Sequence, residues 1–282
     1  TMKRESLGDG YERDLYGSLW RVDRRPFHLE TPGLERPSFE GYDFPTSQQF
    51  VAPDFQQSTA AVVAEHGDSF TIVGIGWGLW ENSWGIRGFE NALSDCVAEP
   101  EFFEELVERL TDLYLAHIAR CADIPADAIQ MGDDWGDQRG VMIGPERWRR
   151  FLKPRYARLY EAVHAQGKFV IHHTCGSVAD VMGDIVEIGL DVLESVQPEA
   201  EGMDPYQLKR QWGDHITFWG GLGSQSTIPF GTPESIHAEV DHLRREMGEG
   251  GGYILAPAKS LQPGTPMANA VAVVEAFTGR TS

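Results

Sequence analysis

Six short apolar runs, each followed by an amphipathic segment, constrain this chain more than anything else in it. The runs are Phe70–Ile75, Ala128–Met131, Lys168–His172, Val192–Val196, Ile216–Trp219 and Tyr253–Leu255. Few charges interrupt them, as expected of strands buried on both faces. The intervening segments carry helix signals. Pro100 opens one with Phe103, Leu106, Val107, Leu110, Leu113, Tyr114 and Ile118 at 3–4 spacing. Pro145 opens the next, and Pro154 is expected to kink or split it. Ser177 is placed to cap a helix ending at Gly189. Asp204-Pro205 and Thr232-Pro233 open two more, ended by Gly213 and Gly248.

Repeated strand–helix alternation means parallel pairing with right-handed crossovers. A doubly wound sheet and a closed barrel both satisfy this. The strand tips favour the barrel. Nearly every run ends in a polar or Gly-rich tip: Gly132-Asp133-Asp134-Trp135, His172-His173-Thr174-Cys175-Gly176, Gln197-Pro198-Glu199, Gly220-Gly221-Leu222-Gly223 and Pro257-Ala258-Lys259. In a barrel all such tips converge on one mouth; in a doubly wound sheet only those beside the switch point meet. The expectation is an α/β fold of the TIM (β/α)8 type. Eight strands are needed and six are legible, so residues 1–60 supply the missing pair, or the barrel lacks or modifies its first strand. That N-terminal stretch reads as an irregular segment packing on a barrel domain of residues 61–282. Its Trp20, Phe27, Tyr42, Phe44 and Phe50 are expected to cover part of a core.

Composition narrows the class. A 41% hydrophobic share supports a core in 282 residues, and no run approaches the roughly 18 apolar residues of a membrane span. The opening residues lack the apolar core of a secretory leader. With 24 Lys+Arg against 43 Asp+Glu, the net charge is −19, which repels phosphate backbones and anionic lipid. Neither nucleic acid nor membrane is an expected partner. Three cysteines without a CxxC pair read as reduced thiols, hence a cytoplasmic protein.

The sharpest chemical element is His173-Thr174-Cys175-Gly176 after a buried strand. His and Cys two apart point the same way on extended backbone, so both can reach one ion. Thiolate plus imidazole suits Zn²⁺. The plainer reading is a small buried thiol beside a hydrogen-bonded His, because a zinc site needs three or four ligands. Adjacent Asp133 and Asp134 can supply a base, a metal ligand or a substrate hydrogen bond; alternatively they cap a helix. Three tryptophans in Trp77–Trp84 suggest an aromatic wall with Glu81 in its floor, against plain core packing. Arg87 and Arg139 can bind a carboxylate or form ordinary ion pairs. Lys259 is catalytic, anion-binding or simply exposed. The glycine clusters match neither a P-loop nor a dinucleotide fingerprint.

In combination, several of these stretches resemble the uroporphyrinogen decarboxylase-like superfamily. They are the run Met131–Trp148 (MGDDWGDQRGVMIGPERW), His172–Ser177 (HHTCGS), Val196-Gln197-Pro198 with Gly202–Pro205, Phe218–Gly221 and Gly252–Pro257. The resemblance implies a barrel enzyme, a homodimer and one of two chemistries. One branch decarboxylates uroporphyrinogen without a cofactor; the other holds zinc and passes methyl groups between a corrinoid protein and a thiol or methoxylated small molecule. The decarboxylase's active-site Tyr falls near Ser83-Trp84, which holds none, and its late His aligns with Lys259. The methyltransferase's HxC ligand pair matches His173 and Cys175. Its third ligand, a late Cys, falls near Ala256, so Glu81, Asp133 or Asp134 is expected to stand in. The methyltransferase reading is therefore preferred, with Asp133, Asp134, Glu81 and Lys259 as catalytic candidates. Trp80, Trp135, Arg139 and Gln197 are the candidates for binding the ligand or cofactor. Decarboxylation and a non-catalytic ligand-binding barrel subunit are the competing readings.

Overall fold

The computed structural model describes residues 4–280. The chain resolves into two compact units. Among the described residues, one comprises 4–133 together with Glu146–Val170; the other comprises Asp134–Pro145 and 171–280.

The first unit opens with a four-stranded antiparallel sheet in simple order: β1 (Arg4–Gly8), β2 (Tyr11–Asp14), β3 (Leu19–Arg21) and β4 (His28–Thr31). This corrects the expectation of an irregular segment. Among the described residues, 4–60 do not supply missing barrel strands, because these strands are antiparallel and form a sheet of their own. Buried Asp14 organises the sheet. Its carboxylate accepts from the Trp20 indole at 2.7 Å and from the backbone N–H groups of Tyr16 and Ser18. Trp20 is buried as expected, and Tyr16 packs on Phe44 and Phe50. Phe27 is exposed instead, lying under the guanidinium groups of Arg4 and Arg25.

The same unit holds β5 (Ile72–Trp77) and β6 (Ala128–Gly132), paired in parallel. Helix Pro100–Ala119 buries every apolar position its spacing named. Pro154 acts as expected: the ladder widens into a π turn over Trp148–Leu152 before the helix Lys153–His164. A proline without an N–H leaves a gap there that the wider turn absorbs.

The second unit carries β7 (Phe169–His173, entering from the first unit), β8 (Val192–Val196), β9 (Thr217–Leu222) and β10 (Tyr253–Pro257). Successive strands pair in parallel in that order, with His173 in register with Glu194. Asp204 caps helix Pro205–Trp212 by accepting from Gln207 N–H at 2.7 Å, and Thr232 caps Pro233–Gly248. Ser177 does not cap a helix; its hydroxyl donates to the Glu201 carbonyl at 2.6 Å. A final helix, Met267–Thr278, follows Thr265-Pro266 and ends at Gly279, whose φ is +66°. Among the described residues no helix is long and apolar enough to cross a membrane. All three cysteines are free thiols.

Candidate metal centre

Asp134, His173 and Cys175 form a group in the second unit, with one potential ligand atom from each lying within 4.8 Å of the others. The local chain dictates this. β7 ends at His173, and the extended backbone beyond it brings the Cys175 thiol back to the same side. Cys175 Sγ lies 3.4 Å from His173 Nε2. The Asp134 loop is then zipped onto this tip: Trp135 N–H donates to Thr174 Oγ1, Ser177 N–H to the Asp137 carbonyl, and Cys175 N–H to Asp134 Oδ1 at 2.8 Å. Two glycines permit the approach. A Cβ on Gly136 would overlap the Ser177 backbone, and one on Gly176, whose φ is +75°, would overlap Gly136 and Asp137. Asp134 Oδ1 thus reaches 3.5 Å from His173 Nε2.

The other face of the imidazole is held as well. Glu194 Oε1 lies 3.5 Å from His173 Nδ1, because parallel register sets residues 173 and 194 side by side. Burial works against a charged imidazole, but the Cys175 thiol and the Glu194 carboxylate override it and lift the His173 pKa to about 10. Sequence reasoning missed Glu194. The available signal was a lone carboxylate inside an otherwise apolar strand. A carboxylate on the far nitrogen of a metal-binding His fixes its tautomer and raises its basicity.

The remaining candidates separate. Asp133, fully buried, serves the first unit: it accepts from Trp80 N–H, Glu81 N–H and the Tyr156 hydroxyl at 2.9, 2.7 and 2.6 Å. It caps the helix Leu79–Arg87 from outside, satisfying N–H groups that Gly78 cannot. Burial, and then the charge of Asp133, push the Tyr156 hydroxyl well above its ordinary range, so it stays a proton donor. Glu81 sits half-buried in the first turn of that helix. Trp80 is core, edge-on to Phe89, and Trp135 covers His172 with ring centroids 4.1 Å apart. Arg87 is buried against Asp95 in a two-pronged ion pair. Arg139 and Lys259 are exposed. Gln197 is buried and accepts from Gly176 N–H at 3.1 Å.

The strand order and this cluster define an α/β protein of the TIM-barrel type with a His–Cys–carboxylate group at its strand ends; among the described residues the parallel-sheet strands number six. The sequence pattern of the family described as "Uroporphyrinogen decarboxylase (URO-D)" matches residues 30–279, and the chain belongs to that family. Among curated relatives, the methylcobamide:CoM methyltransferase MtaA of Methanosarcina barkeri is 27% identical over 183 residues, 64% of this chain and 50% of that protein. A uroporphyrinogen decarboxylase of Thermus thermophilus is 28% identical over 193 residues, 67% and 52% respectively. The chain therefore spans about half the length of these relatives. Of solved structures, a methyltransferase from Methanosarcina mazei superposes with a TM-score of 0.70 at 20% identity, covering 90% of this chain and 72% of that one. A B12-independent methionine synthase from Shewanella sp. W3-18-1 gives 0.52 at 9% identity, covering 99% and 72%. Both share the fold.

Proposed function

We propose that the chain is an enzyme that moves a methyl group between a methoxylated or thiol small molecule and a corrinoid carried by a partner protein, using zinc held by Asp134, His173 and Cys175. One observation carries this reading: the spacing of those three donors. Tetrahedral zinc at its usual bond lengths places sulfur and nitrogen ligands about 3.6 Å apart, and nitrogen and oxygen ligands about 3.3 Å apart. The two corresponding separations at His173 are 3.4 and 3.5 Å, and all three donors lie within 4.8 Å of one another. Asp134 takes the place of the late cysteine expected near Ala256.

When bound, zinc supplies Lewis-acid polarisation of an ether oxygen or activation of a thiol. The chain's own groups prepare the place. With its Nδ1–H toward Glu194, His173 would bind the ion through Nε2 once that nitrogen gives up its proton. Cys175 N–H pins the Asp134 carboxylate. Held by these three donors, a zinc ion would keep a position free for substrate. A homodimer in the cytoplasm belongs to the same reading.

Metal analysis of the purified chain tests it. The wild type should carry about one zinc per chain, and Cys175→Ala should lose most of it. Equal, negligible zinc in both ends the proposal. The Thermus relative motivates the competing reading, a metal-free carboxy-lyase. Release of CO₂ from uroporphyrinogen by zinc-free protein would decide for that one.

A further inference from the structure

His173 and Cys175 share one strand end, whereas Asp134 reaches the metal group from a separate loop. Thr174 stands between the two strand-end donors. On extended chain its side chain points to the opposite side from both, and it is buried. Its backbone is tied to the neighbouring strand: the Thr174 N–H donates to the Glu194 carbonyl, and the Thr174 carbonyl accepts from Ser195 N–H at 3.4 Å. A β-branched side chain on such a backbone has little freedom at χ1. The hydroxyl is therefore an acceptor in a fixed place. What it accepts is the Trp135 N–H, at 3.0 Å.

That N–H belongs to the peptide group directly after Asp134. The peptide is planar, so holding its N–H sets the orientation of the 134–135 link and with it the direction in which the Asp134 side chain leaves the backbone. From there the carboxylate is met by Cys175 N–H at 2.8 Å, and Asp134 Oδ1 stands 3.5 Å from His173 Nε2. Residues 174 and 175 thus grip Asp134 at two points, one on the backbone behind it and one at its carboxylate. The rest of the loop has other attachments. The Trp135 ring packs on His172 with centroids 4.1 Å apart, and Ser177 N–H donates to the Asp137 carbonyl. Removing the Thr174 hydroxyl leaves the Trp135 N–H without that acceptor, which disturbs the aim of Asp134 while the loop stays attached.

We infer that Thr174 is a positioning residue for the third metal donor, acting through Asp134 and not on the ion itself; this rests on the zinc reading above. Two measurements on the whole chain test it. Chelator competition gives the zinc affinity, and Co²⁺ in place of zinc reports the donors around it through its visible absorption. Thr174→Val keeps the shape of the side chain and removes the hydroxyl. It should weaken zinc binding about tenfold and turn the cobalt spectrum into that of Asp134→Ala, with the thiolate-to-cobalt band of Cys175 retained. Thr174→Ser restores the hydroxyl and should bring affinity and spectrum back to wild type. Because the threonine acts through the aspartate, adding Thr174→Val to Asp134→Ala should cost no further affinity. Wild-type affinity in Thr174→Val, a serine variant as weak as the valine variant, or a further additive loss in the double variant overturns the inference and leaves the zinc reading standing. A valine variant that fails to fold in chelator assigns the hydroxyl to the fold and overturns it as well. A wild-type chain that takes up neither cobalt nor zinc overturns both.

Discussion

Asp133 and Asp134 share a side chain and a peptide bond, and they do different work. At a strand end consecutive residues point to opposite sides. Asp133 therefore turns to the N–H groups opening Leu79–Arg87, and Asp134 turns to His173 and Cys175. Their adjacency was legible; the division of labour was not, because it depends on which N–H groups stand opposite each carboxylate. His173 and Cys175 were readable as a pair because i, i+2 spacing on extended chain fixes their common side. Glu194 was hidden, since its partner is 21 positions away in sequence and is set by sheet register. Its role is testable. Glu194→Gln should weaken zinc binding about tenfold in a chelator competition titration. Unchanged affinity would reduce the 3.5 Å approach to His173 to packing.

Helices were the most readable elements, and their ends the least. Pro100–Ala119 follows from one apolar stripe and one proline. The cap at Ser177 failed because the turn starts only at Ala179, with Val178 in the N-cap position, while the Ser177 hydroxyl donates to the Glu201 carbonyl. The N-terminal sheet was illegible because its strands are three to five residues long and only two of their side chains, Asp14 and Trp20, are buried, which leaves no apolar run to read. Helix Pro100–Ala119 also carries a pH dependence. His117 is buried edge-on to Phe50 and Tyr114, and burial holds its pKa below the ordinary value. The unfolded chain therefore takes up a proton near pH ~6.5 that the folded chain refuses until lower pH. This contribution to stability is full above that value and is lost as the pH falls through the folded pKa. Denaturant unfolding between about pH 7.5 and 5.5 should show the loss, and His117→Gln should flatten it. An equal slope in the variant would exclude His117 as the cause.

For the whole molecule, metal and fold should be coupled, because the three donors come from segments about 40 residues apart that only the folded chain assembles. At zinc a hundredfold above its Kd, linkage adds about 2.7 kcal/mol. For a chain of this size that should raise the melting temperature by roughly 5 °C or more. Calorimetry with zinc and with chelator would show the difference, and identical midpoints would refute the coupling. What the sequence alone determined was the α/β class, the parallel strands, the principal helices and the HxC pair, since each rests on periodicity or on neighbours along the chain. The tertiary structure alone decided which aspartate lies beside His173 and Cys175, that Glu194 backs the imidazole, that Trp80 and Arg87 are core, and that residues 4–31 form a separate antiparallel sheet. All of these turn on contacts between distant segments, which register and loop closure create and local patterns do not encode.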